Sequence, residues 1–322
     1  MKAGIAQIGL MLACLSLLPS SCERRELCVP DNRVELELRV HDTLPLVGIV
    51  PSGELYETRL YHVGDGSLAE LAYTGPAGGE LFVSPGNYQL VSCNFDSETV
   101  FFEGTESLFR IRAVSVVAPP TTNQLFRSLV QVAAVKSQAP WISEEVVGEP
   151  GYLFAAALDS LEIPYHQRND TPVIIRADAW PLVKPCRLEV CGVTGQEHLS
   201  HATAFLTGIS PGRFLGTQQP VSGAVTLALS LQPDPEQEML DTGFNVFGFA
   251  EGELVWLYVL LTDTGGGRYL FPFDVTDQCD PDIPELILRV DIGFDIPEPA
   301  HGGGGLSPVT EDWNLVVNPV EL

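Results

Sequence analysis

Gly208-Ile209-Ser210-Pro211-Gly212 has the G-x-S-x-G spacing of a hydrolase nucleophile elbow. In an elbow, the backbone N–H after the serine helps form the oxyanion hole, and a helix follows. Here that residue is Pro211, which has no N–H. The residues beyond it read as turn and strand, so Ser210 is expected in a Pro-Gly turn without catalytic use. Glu197, His198 and His201 raise metal binding, since histidine is a common ligand. An i,i+3 pair converges only on a helix, however, and this stretch reads as a loop. Asp274, Asp277, Asp280 and Asp282 offer hard oxygens that would suit calcium. Their spacing is not that of an EF-hand, and Pro281 and Pro284 mark an acidic loop. Thr264-Gly265-Gly266-Gly267-Arg268 is the nearest approach to a phosphate loop, but no helix follows it, so it is expected to be a hairpin turn. Trp141, Trp180, Trp256 and Trp313 could line a glycan platform or sit in β-sandwich cores. No nucleophile–base pair and no paired acids emerge. The expectation is therefore no enzyme, no cofactor and no metal.

Cys22 carries a different chemistry. Lys2 is the one charged side chain in residues 1–21, and Ile5 to Leu18 is almost wholly apolar. This is the n-region and h-region of a secretory signal. The run stops at Pro19, short of the roughly 20 apolar residues a spanning helix needs, and no other run reaches that length. Leu18-Pro19-Ser20-Ser21-Cys22 then places small residues before a cysteine. Cleavage between Ser21 and Cys22, with lipid on the Cys22 thiol, is the expectation. The usual lipobox has Leu three residues before the cysteine; here Pro19 holds that place and Leu18 lies one further back.

Charge narrows the partners. The chain has 17 Lys+Arg against 42 Asp+Glu. Loss of Lys2 with the signal takes the formal charge from −25 to −26. Such a surface repels phosphate backbones, which argues against nucleic acid. The apolar fraction of 45% is that of a folded chain rather than a disordered one. With Cys14 removed and Cys22 lipidated, Cys28, Cys93, Cys186, Cys191 and Cys279 remain, an odd number. Cys186 and Cys191 lie five apart in a strand-like run, so they point to opposite faces. Buried single thiols acting as small hydrophobes are the preferred reading.

The dominant period of the chain is two. Val34, Leu36, Leu38 and Val40 alternate with Glu35, Glu37 and Arg39, and Val225 to Gln232 and Leu286 to Ile292 repeat the pattern. These read as half-buried strands. Leu254 to Leu261 is continuously apolar, as a central strand covered on both sides would be. Glu80–Val83 and Tyr88–Cys93 flank Ser84-Pro85-Gly86-Asn87 as a hairpin-like unit. Leu153, Phe154, Ala157, Leu158 and Leu161 fit a helical stripe that Glu149-Pro150-Gly151 would start, and Leu125 to Val135 is ambiguous between helix and strand. Many short strands between Gly/Pro turns predict an all-β chain of two β-sandwich domains. The polar stretch 166–172 is the natural boundary. The expected division is signal peptide 1–21, lipidated tether 22–33, an N-terminal sandwich 34–170 and a C-terminal sandwich 171–322.

Cys22-Glu23-Arg24-Arg25-Glu26-Leu27-Cys28 resembles the mature start of a family of uncharacterised lipoproteins from Bacteroidota. Phe244-Asn245-Val246-Phe247-Gly248, Trp256 to Leu261, Tyr269 to Gln278, and Gly302 to Gly305 with Asp312-Trp313 match its pattern in order and spacing. That family is similar to the FimB-type minor subunits that anchor type V fimbriae. The resemblance implies two tandem transthyretin-like sandwiches, a lipid anchor in the outer membrane, surface exposure and an adhesive, non-catalytic role. It also implies fimbrial subunits as partners, joined by β-strand addition, which satisfies an unpaired sheet edge. Pro319 interrupts the terminal run Leu315 to Leu322 and counts against that segment as a donated strand. The alternative reading is a cell-surface binder of a glycan or host ligand.

Overall fold

The computed structural model describes residues 32–44, 47–136, 142–165, 171–280, 283 and 286–298, together with the backbone of 315–317. The first half of the chain holds β1 (Asn32–Val40), β2 (Thr43–Leu44), β3 (Gly48–Ile49), β4 (Tyr56–His62), β5 (Leu68–Thr74), β6 (Gly78–Val83), β7 (Gly86–Asn94), β8 (Val100–Glu103), β9 (Arg112–Ser115), helix α1 (Pro120–Lys136), β10 (Val146–Val147) and β11 (Phe154–Ile163). The second half holds β12 (Val173–Pro181), β13 (Lys184–Thr194), β14 (Leu199–Ile209), β15 (Gly212–Phe214), β16 (Val225–Asp234), β17 (Met239–Val246), β18 (Trp256–Asp263), β19 (Arg268–Asp274), β20 (Leu286–Asp295) and β21 (Leu315–Val317). The chain is mostly β, as its period predicts. Among the described residues no helix is long and apolar enough to cross a membrane.

Two large barrel-like sheets organise these strands. The first runs β5-β4-β7-β11-β12-β1-β6, and the second runs β20-β13-β17-β16-β14-β18-β19-β21 with β10 also on β16. In β1 the alternation of the sequence is the alternation of burial: Val34, Leu36 and Leu38 turn inward and Glu35, Glu37 and Arg39 outward. They meet Leu60, Leu81, Leu90, Phe154 and Ile175 in the first core. The second core gathers Leu188, Val190, Leu206, Leu227, Val259 and Leu288. β18 is covered on both faces. Leu257, Val259 and Leu261 point into that core, while Tyr258 and Leu260 lie under α1 with Phe126, Leu129, Val130 and Ala133. These four helix residues follow the i, i+3, i+4, i+7 spacing of one buried face. The ambiguous stretch Leu125 to Val135 is therefore helix. Pro120 opens α1 where a missing N–H costs nothing. Asn123 clips its first turn to the strand beyond, donating to the Ala118 carbonyl (3.2 Å) and accepting from the Val146 N–H (2.8 Å).

Three expectations need correction. The stripe Leu153 to Leu161 is strand β11, not helix. Phe154 and Ala156 face the first core, whereas Leu153 and Ala155 face a third cluster with Tyr61, Leu215 and Phe247. Burial on both sides erases the period of two, and the continuous apolar run mimics a helical stripe. The Glu80–Cys93 unit is not a hairpin either. β6 pairs with β1, whereas β7 pairs with β4 and β11, so the Ser84-Pro85-Gly86 turn carries the chain across the fold. The boundary at 170/171 falls between two strands of one sheet. β12 pairs with β11 and runs parallel to β1, and the first sheet ends at Pro181 rather than before Thr171. Residues 166–170 of the polar stretch lie outside the described residues.

The halves of the chain are interleaved as well as adjacent. α1 and β10 come from the first half but cover or pair with the second sheet. β15 comes from the second half and pairs with β9, forming the small sheet β15-β9-β8. The third cluster packs β8 and β9 residues against Leu215 and Phe247 of the second half.

Candidate functional site

The G-x-S-x-G stretch is a packed corner between β14 and β15. Ser210 is buried, and its hydroxyl lies 2.9 Å from the Gly212 carbonyl and 2.9 Å from the Val221 carbonyl, its donor spent there. The glycines have their own reasons. Gly208 has φ +70°, and a Cβ on it would sit 2.8 Å from the Leu254 carbonyl oxygen; a Cβ on Gly212 would sit 2.1 Å from that of Ala113. The motif therefore records close backbone approach, not an oxyanion hole.

The other sequence candidates stay apart. His198 reaches Glu197 at 3.8 Å, and His201 Nδ1 reaches the Ser200 hydroxyl at 3.4 Å. Asp274 accepts from the Thr276 N–H, and Asp277 lies in a short 3-10 helix. Among the described residues no three His, Cys, Asp or Glu side chains converge as a metal site would require; Asp282 lies outside them. The glycine loop is a hairpin turn between β18 and β19. Asp263 Oδ1 accepts from the Gly265 and Gly267 N–H groups at 2.8 and 2.7 Å, and its Oδ2 accepts from the Tyr269 hydroxyl. Cys93, Cys186, Cys191 and Cys279 are free. Burial pushes the thiols of Cys93, Cys186 and Cys279 up to about 12, so they remain protonated near neutral pH and are poor nucleophiles. Ser21, Cys22, Cys28, Trp141 and Trp313 lie outside the described residues. Trp256 is half-buried against α1, whereas Trp180 is exposed on β12.

Two acids that the sequence did not single out sit on the segment joining α1 to β11. Glu144 accepts from the Gly208 N–H and, at 2.8 Å, from the Thr226 hydroxyl. Glu149 accepts from the Asn245 N–H at 2.9 Å. Burial raises both above the ordinary carboxylate value, against the lowering effect of those hydrogen bonds. A carboxyl raised in the folded state holds its proton better there than in the unfolded chain. The stability it adds is full below about 4.5, the unfolded value, and is lost as pH rises through the raised folded value. Urea titrations between pH 4 and 8 should show this fall, and Glu144→Gln should flatten it. Asp96 works in the opposite sense at lower pH. Donors at Glu54 and Asn94 hold it below its ordinary value, although burial opposes them. Its contribution is lost as pH falls below about 3.8.

The feature suited to a macromolecular partner is a seam in the first sheet. β5 and β6 are its two edges, and a tight turn joins them through reciprocal hydrogen bonds between Gly75 and Gly78. Beyond that turn the two strands splay. The groove between them, about 230 Å³, is lined by Thr58, Leu60, Glu70, Ala72, Leu81 and Phe82. Each edge is paired on one side only, so the groove combines free backbone groups with the apolar rim of a core.

Residues 21–230 match the family described as Domain of unknown function (DUF5119). The chain belongs to that family. The matched stretch includes α1, β10 and β15, the elements that cross between the two halves. DUF5119 membership agrees with the resemblance to an uncharacterised family related to fimbrial anchors. No curated protein matches the chain. Among solved structures, this DUF5119 chain is similar to a candidate adhesin from Bacteroides ovatus ATCC 8483, at 17% identity over 87% of this chain and 98% of the other, with a TM-score of 0.61. That likeness is one of fold. The fimbrial anchor protein Mfa2 from Porphyromonas gingivalis is a looser match, at 12% identity over 81% of this chain and 90% of the other, with a TM-score of 0.48.

Proposed function

We propose that this protein is a cell-surface lipoprotein, held in the outer membrane by lipid on Cys22 after cleavage between Ser21 and Cys22. In this reading it serves as a fimbrial anchor or accessory subunit, structural and adhesive rather than catalytic, built on transthyretin-like sandwiches. The observation that carries the reading is the β5–β6 seam, where an added strand from a fimbrial subunit would meet two edges and cover Ala72 and the exposed Phe82. The fold shared with a candidate adhesin over nearly all of that protein supports it. So does the burial of Ser210, Cys93 and Cys186, whose side chains are packed away from solvent.

A photo-cross-linking residue at Glu70, in the seam, tests the partner. In membranes of cells making fimbriae it should yield one covalent adduct with a fimbrial subunit, whereas the same residue at Glu197 should yield none. Equal adducts at both positions, or none at Glu70, sink the strand-addition reading. Cys22→Ala tests the anchor. The variant should move from the membrane pellet to the soluble fraction, with at least a tenfold drop in the pellet. A Cys22→Ala protein that still sediments with membranes removes the lipid anchor.

A further inference from the structure

The outer face of the first sheet carries a second kind of surface, independent of the fimbrial reading. Outward side chains of β6, β1 and β12 form one strip in register. Glu37 lies between Gly78 and Arg176, Arg39 lies beside Asp178, and Arg33 lies beside Phe82. Arg176 is bonded to Glu37 at 2.6 Å, Arg33 to Glu80, and His41 Nε2 lies 2.9 Å from Asp178 Oδ1. At the end of the strip the His41 and Trp180 rings stack 3.6 Å apart and 3° from parallel. Trp180 is nevertheless 53% exposed. Beside it, Glu37, Arg39, Arg176 and Asp178 rim a shallow depression of about 290 Å³.

Three properties of this strip select a ligand class. First, its charges nearly cancel: Arg33, Arg39 and Arg176 stand among Glu35, Glu37, Glu80 and Asp178, on a protein of net charge −25. The protein's field thus disfavours an anionic ligand, and the local pairs give a cation little net attraction. Second, the paired carboxylates and guanidiniums present acceptors and donors side by side, held in place by each other. That suits a ligand dense in hydroxyls. Third, an exposed indole backed by a parallel, stacked imidazole is a flat apolar plate, and it is not surrounded by the apolar core that a protein interface needs.

We propose that this strip binds a neutral saccharide. One sugar residue lies on the exposed face of Trp180 with its hydroxyls bonded to the Asp178–His41 pair, and the next residue of the chain lies over the depression and bonds to the Glu37–Arg176 pair.

Calorimetric titration of the full chain in detergent tests this, with yeast mannan, dextran and laminarin as neutral probes and polygalacturonate as the acidic one. At least one neutral polysaccharide should bind. Trp180→Ala should weaken that binding at least tenfold, and Trp180→Phe less. Arg176 is 73% exposed, so Arg176→Ala leaves the fold intact and should weaken binding severalfold. It decides the matter if circular dichroism shows Trp180→Ala to be misfolded. No binding of any neutral probe, binding confined to polygalacturonate, or native affinity in Arg176→Ala or a folded Trp180→Ala overturns the proposal.

Discussion

Alanine at Phe126 is expected to lower the free energy of unfolding by about 3–5 kcal/mol, the cost of truncating a fully buried aromatic. Phe126 has no exposed surface, and its ring packs 5.3 Å from Phe205 and 6.0 Å from Tyr258. It is the side chain through which a helix from the first half of the chain grips a sheet from the second. Truncation leaves a cavity under α1 whose walls, Leu129, Val130 and Leu260, belong to rigid elements and collapse poorly. Urea denaturation followed by tryptophan fluorescence reads the change, because Trp256 packs against the same cluster. Val135→Ala is the control. Val135 lies on the same helix but is 82% exposed, so its change should stay within about 0.5 kcal/mol. Equal effects at the two positions would mean that α1 does not dock as described.

Valine at Gly212 should be comparably severe for a different reason. Its Cβ would lie 2.1 Å from the Ala113 carbonyl oxygen, a distance no Cβ occupies, so β15 must pull away from β9. The overpacking alone costs about 1–3 kcal/mol, and the pairing of Gly212 with Val114 and of Phe214 with Arg112 is lost besides. The cost falls on a ladder that joins the two halves of the chain. Two separate unfolding transitions should then replace one, and trypsin should gain access at Arg112 and Arg213. A Gly212→Val protein with native stability and a single transition would show that the close approach is absent.

Both residues bear on what a sequence can reveal. Gly212 stood out in the sequence because it completes a catalytic spacing, yet its identity reports a backbone contact with a strand about a hundred positions earlier. No local pattern encodes that contact. Phe126 sat in a stretch whose apolar residues fit two periods, and only the sheet beneath it decides for helix. By contrast, β1, β16, β18 and β20 were legible, because each has its own core on one face and either solvent or a full cover on the other. The start of β11 does not show a period of two because both its faces are buried there, by two different clusters. The same limit applies to interaction surfaces. Trp180 is one tryptophan among four in the sequence; its exposure and its partner His41 follow from β12 lying beside β1, a parallel pairing between distant segments.

The position of β1 has a mechanical consequence. β1 is the first described strand, and it lies inside its sheet, with seven residues in register with β12 on one side and six with β6 on the other. A force applied at Asn32 draws β1 along its own axis, so both ladders are loaded in shear and must rupture together rather than unzip bond by bond. Survival under load is set by the unfolding rate, hence by that barrier, and not by equilibrium stability. A strand at the β5 or β6 edge, held on one side only, would give way under less tension. The end of the chain nearest Cys22 is thus built into an interior strand of the first sheet, which resists pulling better than either edge.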